Sequence, residues 1–426
     1  MKRRKFIQKS GLLLSVGTLI KASGIFSGFN MTAMAATPML SSLQRENDNI
    51  LVLIQLVGGN DGLNTVIPLD VYDNLANLRS NILIPENKII KLTDKLGFHP
   101  ELHPLAKLWN DKKLSIIQNV GYPEQNRSHF RSSDIWSSGS PSDEVWTSGW
   151  IGRYLEKLYN GYPNNFPNAD FPDPLAINIG NSVSETCQGK LANFGFALNH
   201  PDELTDLDEE SMELIQPVEM YNEMQFIQTN IQQTNAYSKV ILKANDKGRN
   251  SAVYPEDNKL AQQLKVVAKL ISGGLKTKIY VLTLDGFDHH ANQVAQDNHC
   301  EGNHADCLRT VANAIASFQE DLRLLNLEKR VLGITVSEFG RQIQSNNSFG
   351  TDHGTAAPLF VFGSSIKSSV IGNNPVITKA VDVQAGVDMQ IDFRDVYGSI
   401  LVDWLGLSKE MSKKFFRKEL VPISIV

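Results

Sequence analysis

Four short stretches of this 426-residue chain carry residue types able to do chemistry together. The first is Ser337 to Gly354, SEFGRQIQSNNSFGTDHG, which offers Glu338, Arg341, Asp352 and His353. The second is Asp285-Gly286-Phe287-Asp288-His289-His290, with two carboxylates and two imidazoles in six residues. Ionised carboxylates and neutral imidazoles form an oxygen–nitrogen ligand set for zinc, manganese or iron, and a carboxylate can also hold calcium. The third is Gly58-Gly59-Asn60-Asp61-Gly62-Leu63-Asn64, where glycines permit a tight turn and Asp61 could ligate a hard cation; the same residues also make ordinary turns. The fourth, Asn126-Arg127-Ser128-His129-Phe130-Arg131, sets a serine beside a histidine and two arginines.

These stretches suggest a metal-assisted hydrolytic site. Asp61, Asp288, His290, Glu338, Asp352 and His353 are the candidate ligands, with His129, Asp285 and His289 as alternatives. Ser128 is a candidate nucleophile or, on the other reading, a helix N-cap. Arg127 and Arg341 are candidates for holding an anionic substrate, and Arg341 could instead pair with Glu338. Five of the nine histidines fall between His289 and His353, which supports a site there; His99, His103 and His200 read as structural.

The elements that must position these residues are legible as apolar runs. Ile50–Val57, Leu114–Val120, Leu175–Ile179, Lys278–Leu284, Arg330–Val336 and Leu359–Phe362 are the strand candidates, mostly continuous rather than alternating, as strands buried on both faces are. Helical patterns lie between them at Pro104–Trp109, Trp150–Leu158, Asn258–Ser272, Ala305–Leu325 and Val396–Leu405. The alternation predicts an α/β fold, a three-layer α/β/α sandwich with a mainly parallel sheet, whose ligands gather at the carboxyl ends of the strands. Residues 49–426 form this domain, with an acidic and helical insert at about 200–257 that opens on Asp202-Glu203 and Asp208-Glu209-Glu210.

The first 35 residues read as a transport signal: Lys2-Arg3-Arg4-Lys5-Phe6-Ile7, an apolar segment from Gly11 to Ile20, then Ala33-Met34-Ala35. This is a twin-arginine pattern, implying passage through the twin-arginine export machinery to the periplasm or beyond, with residues 36–48 as a linker. Removing the signal takes away six basic residues and no acid, moving the formal charge from −5 to −11. Such a balance argues against nucleic acid and anionic membrane as partners, and stable membrane insertion is not expected after cleavage. Cys300 and Cys307, seven apart, suggest a small disulfide loop in an oxidising compartment, or a Cys/His zinc site; Cys187 is left over.

Taken together, LVGGNDGLNTVIP, LGFHPELHPL, NRSHF, GWIGRYL, GFDHHANQ, VSEFGRQI and GTDHGTAAPLFVFG resemble the twin-arginine-exported bacterial family called domain of unknown function 1501, placed in the alkaline phosphatase-like superfamily. The resemblance implies an alkaline phosphatase-like fold and a phosphatase- or sulfatase-like hydrolase acting on a small anionic ester, with a divalent metal centre, zinc first. On it, Asp61 is the first acidic ligand, the Ser128 loop supplies the nucleophile, and His353 is the last histidine ligand. Asp288 and His290 match an Asp-x-His pair, while Asp285 and His289 fit a wider spacing. Two-metal phosphatases carry Asp-His where Glu338-Phe339 stands, so one ion is as open as two. A non-catalytic cell-envelope binding or assembly protein that retains the fold is the alternative.

Overall fold

The computed structural model describes residues 47–205, 221–367 and 369–426, with side chains left out for 221–229. The transport signal, most of the linker, and the acids Asp208, Glu209, Glu210 and Glu213 lie outside the described residues.

Twelve strands are described: β1 (Ile50–Leu56), β2 (Val66–Pro68), β3 (Ile90–Thr93), β4 (Leu96–Phe98), β5 (Leu114–Gly121), β6 (Ala176–Ile179), β7 (Gly195–Leu198), β8 (Ile279–Leu284), β9 (Val331–Val336), β10 (Ala357–Phe362), β11 (Val370–Ile371) and β12 (Ile391–Asp392). Nine of them form one sheet in the order β11-β5-β10-β9-β1-β8-β6-β7, with β12 also on β5. All pairings in it are parallel except those of β10, which runs antiparallel to both β5 and β9. β2, β4 and β3 form a small separate antiparallel sheet.

Continuous apolar runs are explained by helices on both faces. On β1, Ile50, Val52, Ile54 and Leu56 point into one core and Leu51 and Leu53 into the other. The first core receives the helices Lys259–Ser272 and Asn303–Leu324, through Leu264, Val267, Ile271, Val311, Ile315 and Phe318. The second receives the helices His129–Ser138, Trp150–Leu158 and Phe393–Ser399, through Ile135, Trp150, Tyr154, Phe393 and Tyr397. The expected three-layer α/β/α sandwich with a mainly parallel sheet is what is found.

The six expected strands and five expected helices are all present within a few residues of their expected bounds. Within the segment expected as an insert lies the helix Tyr221–Lys247, whose Ile241 and Ala244 join the first core, so its carboxyl half packs on the sandwich. The expected disulfide is absent: Cys187, Cys300 and Cys307 are free thiols. Cys300 packs beside Ile67, Ile84 and Ile89, whereas Cys307 packs against the first core and its thiol donates to the Gly286 carbonyl at 3.4 Å. Two thiols committed to different apolar clusters are not placed to bond each other, and they do not form a zinc site with His299 or His304 either. His299 Nδ1 bonds the Leu83 carbonyl, and His304 Nε2 bonds Asn60. Among the described residues no helix is long and apolar enough to cross a membrane.

Candidate metal centre

All four motif stretches leave the carboxyl ends of strands, β1, β5, β8 and β9, and the last of them runs on into the reversed β10, which keeps its far end at the same edge. Residues ahead of an antiparallel strand arrive where its parallel neighbours end, so His353 stands beside the β5, β8 and β9 loops. Backbone pairing fixes it there: Arg341 and His353 form an isolated antiparallel bridge, and Gln342 N–H donates to the Asp352 carbonyl at 3.0 Å. The β1 loop supplies room. Gly58 (φ +122) lies so close to the β8 loop that a Cβ would stand 2.3 Å from the Asp288 nitrogen, and a Cβ on Gly59 (φ +80) would stand 2.4 Å from the Phe339 ring.

Three imidazoles and one carboxylate converge. His290 Nε2 lies 2.9 Å from His353 Nε2 and 3.1 Å from Asp288 Oδ1. His353 Nε2 is 3.4 Å from Asp288 Oδ1, and His129 Nε2 is 3.4 Å from Asp288 Oδ2 without hydrogen-bond geometry. His129, Asp288 and His353 offer donor atoms that all lie within 4.8 Å of one another. Four ligands around zinc at ~2.0 Å are spaced by about 3.3 Å along the edges of their tetrahedron. The separations from Asp288 and between His290 and His353 bracket that spacing, while His290 is not one of the three residues whose donor atoms all lie within 4.8 Å of one another.

Each ring is oriented from behind. His353 Nδ1 bonds the Arg127 carbonyl at 2.7 Å, and a carbonyl only accepts, so Nδ1 carries the hydrogen and Nε2 the lone pair. His290 Nδ1 faces Asp352 Oδ1 at 2.8 Å, and His129 Nδ1 faces Glu338 Oε1 at 2.8 Å. Carboxylate or carbonyl on one ring nitrogen, with the other aimed at a common point, is the outer-shell arrangement of metal-ligating histidines. Burial, followed by the charges of Arg341, His129 and His290, pushes His353 below the usual imidazole range despite its bond to Arg127, which favours the neutral ring. Burial would raise Asp288, but the hydrogen bond and charge of Arg341 outweigh it and hold the carboxyl at about 2.

Several expected roles change. Glu338 and Asp352, expected as ligands, stand behind His129 and His290; Glu338 Oε1 also accepts the Gly58 N–H at 2.8 Å. Asp61 is buried and caps the turn Gly62–Thr65, accepting from Leu63 N–H at 3.2 Å, Arg79 Nη1 at 3.0 Å and Gln293 Nε2 at 2.6 Å. Its carboxylate is spent on that network. Burial raises its pKa, yet Arg79 and the other neighbours bring it below the usual range, so it stays ionised without a metal. Arg341 is no substrate clamp: it is 2 % exposed and donates to the carbonyls of Gly58, Gly59, Thr351 and Phe287 and to Asp288 Oδ1 at 2.7 Å. Arg127 Nη1 donates to the carbonyls of His353 and Gln384, at 3.2 and 2.8 Å.

Of the alternatives, His129 is in the cluster, whereas His289 is buried with its Nε2 unpartnered and Asp285 is exposed away from it. Burial, then Arg341, pushes His289 down to about 4. Ser128 is exposed at the N-cap position of the helix His129–Ser138, but its hydroxyl makes no cap bond. The histidine density misled in part, since His299 and His304 serve the scaffold. His99 and His200 do as expected, capping short turns through Nδ1 at 3.1 and 3.3 Å. Arg79, which neutralises Asp61, carried no motif and was not anticipated; only its charge could have drawn notice.

Beside the cluster, at the carboxyl ends of β1, β6, β8 and β9, opens a cleft of about 480 Å³. Ser337 and Glu338 form part of its wall, so cleft and cluster share a residue.

An α/β sandwich whose strand-end loops converge histidines and a carboxylate that could hold a metal ion is the class of protein defined here. The chain belongs to the family described as "Protein of unknown function (DUF1501)", whose model matches residues 49–403. No curated protein matches it. Solved structures similar to it include a protein in the alkaline phosphatase superfamily from Vibrio parahaemolyticus, at 9 % identity and TM-score 0.39 over 96 % of this chain and 77 % of that one. The C-terminal periplasmic domain of EcEptC from Escherichia coli is another, at 11 % identity and TM-score 0.40 over 88 % and 87 %. A third is the PsFucS1 sulfatase from Pseudoalteromonas sp., at 13 % identity and TM-score 0.37 over 89 % and 71 %.

Proposed function

We propose that this chain is an exported metal-dependent hydrolase of phosphate or sulfate esters. The observation that carries the reading is the convergence of His129, His290 and His353 Nε2 with the Asp288 carboxylate, each imidazole tethered through Nδ1. Three nitrogens and one oxygen suit zinc, with manganese or iron next, and suit calcium poorly because calcium takes oxygen ligands. One ion, held between these four side chains, is the proposed occupancy. A divalent cation held there would polarise an ester oxygen and neutralise charge on the reacting group.

The remaining roles fall to the chain's own residues. Ser128, whose exposed hydroxyl precedes His129 directly, is the proposed nucleophile. Arg341 and Gly58 hold Asp288 and Glu338 in place rather than touching substrate. Export rests on the paired arginines and apolar segment of the first 35 residues. Turnover of an aryl phosphate and an aryl sulfate, measured on zinc-loaded protein with and without chelator, tests the reading. Activity abolished by chelator and by Ser128→Ala supports it; an inert zinc-loaded, folded protein sinks it.

One observation favours a second reading, a non-catalytic envelope protein that uses the ion structurally. The Arg341 guanidinium is consumed by backbone carbonyls and Asp288, and Arg127 spends Nη1 on two carbonyls, which leaves little of either guanidinium for a substrate anion. Under that reading, zinc binds and raises stability while no ester turns over.

A further inference from the structure

The cleft beside the cluster has a chemistry of its own. Its charged residues are Glu185, Asp285, Glu338 and one cation, Lys259, so it offers no field that would draw in an anion. The rest of its polar wall is uncharged: Gln55, Ser133, Asn178, Asn181, Ser182 and Gln263 among others.

Two of these side chains have unmet hydrogen-bonding capacity. Asn178, on β6, is 3 % exposed and its buried Oδ1 has no partner. The amide fits because β7 carries a glycine two residues before Ala197, the register partner of Asn178: a Cβ on Gly195 would stand 2.2 Å from that oxygen. Gln263 is fixed by Nε2 donating to the Ile179 carbonyl at 3.2 Å, which leaves its buried Oε1 without a donor. A buried acceptor left unmade costs about 1–3 kcal/mol, so a wall that keeps two of them calls for a ligand rich in donors. Trp136, its ring stacked on Phe393 at 4.4 Å, adds an aromatic edge; its indole N–H donates to the Glu338 carbonyl at 2.8 Å, which ties the cleft wall to the segment holding His129. At about 480 Å³ the space falls in the range of small-molecule sites.

We infer that this cleft is a subsite for an uncharged, polyhydroxylated group, a sugar unit or short neutral glycan, carried by the ester whose anionic end lies at the histidine cluster. The orientation rests on the hydrolase reading; the recognition of hydroxyls by Asn178 and Gln263 does not. With the two amides turned so that their carbonyl oxygens reach the cleft, hydroxyl hydrogens satisfy them, while the serines and remaining amides meet hydroxyl oxygens and the edge of Trp136 lies against the sugar.

The test is binding of neutral oligosaccharides (cello-, malto-, manno- and xylotetraose) to full-length mature protein, metal-free and zinc-loaded, followed by saturation-transfer NMR and calorimetry. At least one is expected to bind below millimolar Kd in both forms. Gln263→Leu and Ser182→Trp, the latter filling the cleft from its exposed rim, are each expected to weaken it tenfold or more. His353→Ala is expected to leave it within twofold. Asn178→Leu is added where circular dichroism shows it folded. No binding by any oligosaccharide, binding untouched by both cleft variants, or tighter binding of a pentaglycine peptide overturns the inference. Aryl ester turnover without oligosaccharide binding removes the subsite and leaves the hydrolase; oligosaccharide binding without turnover does the reverse.

Discussion

His290 and His353 face each other Nε2 to Nε2 at 2.9 Å, and each has its other ring nitrogen bonded to an acceptor. Two neutral rings so arranged oppose their lone pairs, which is unfavourable unless a proton or a cation lies between them. Asp288 sits within 3.1 and 3.4 Å of the same two nitrogens and His129 joins from the β5 loop. A divalent ion held between them would resolve that juxtaposition.

Ligands and their supports should separate in a binding experiment. Removing a direct ligand, as in His353→Ala or Asp288→Ala, is expected to abolish measurable zinc binding in calorimetric titration. Glu338→Gln and Asp352→Asn remove only the carboxylate behind a ring, and about a 10–100-fold loss of affinity is expected. Equal losses in both groups would show that the carboxylates ligate directly.

The glycine loop should matter without touching metal. Gly58→Ala introduces a Cβ 2.3 Å from the Asp288 nitrogen at φ +122 and must displace the β8 loop. It is expected to lower zinc affinity at least about tenfold and to cost roughly 1–3 kcal/mol of stability. Unchanged affinity would mean that the Asp288 loop is not held by this approach.

Arg341 is expected to be a stability residue. Arg341→Met leaves the carbonyls of Gly58, Gly59 and Thr351 and the Asp288 carboxylate without the guanidinium, and should destabilise by about 3 kcal/mol or more in urea unfolding. Arg341→Lys should not restore it, because one ammonium lacks the planar fork. A loss of ester turnover with full stability would instead make Arg341 a substrate contact.

Acid sensitivity should begin well above the carboxylate range. His99 is buried, and burial, against the opposing charges of Glu101 and Asp61, lowers it to about 4; burial also carries His304 well below 6.5. The unfolded chain takes up these protons near pH 6.5 and the folded one does not. The stability from keeping the rings neutral is therefore full above pH 6.5 and declines as pH falls toward 4. Melting temperature of chelated protein, which removes the metal's own pH dependence, should drop steadily from pH 7 to 4. His99→Gln should flatten part of that slope; a flat profile in the parent protein would contradict it.

The sandwich was legible because β1, β8 and β9 are apolar on both faces, and the sequence pattern registers burial directly. It does not register direction. The reversal of β10, which delivers His353, follows from its pairing with β5 and β9, and such pairings are long-range facts. For the candidate site, spacing named loops that the structure brings together, but not which side chains face one another. Glu338 and Asp352 lie on the correct loops yet turn toward imidazoles rather than the common point, a difference of side-chain direction that residue type does not encode. Asp61 read as a ligand because its partner Arg79 lies eighteen residues away and approaches only when the Gly62–Thr65 turn folds back. Cys300 and Cys307 read as a pair on spacing alone, while packing sends them to different apolar clusters.

The central claim is a single metal held by His129, Asp288, His290 and His353. Elemental analysis of the mature protein purified from its own compartment, alongside His353→Ala prepared identically, tests it most directly. About one equivalent of zinc, manganese or iron is predicted for the parent and less than a tenth of that for the variant. A folded parent without a stoichiometric transition metal, even after incubation with zinc, would contradict the account.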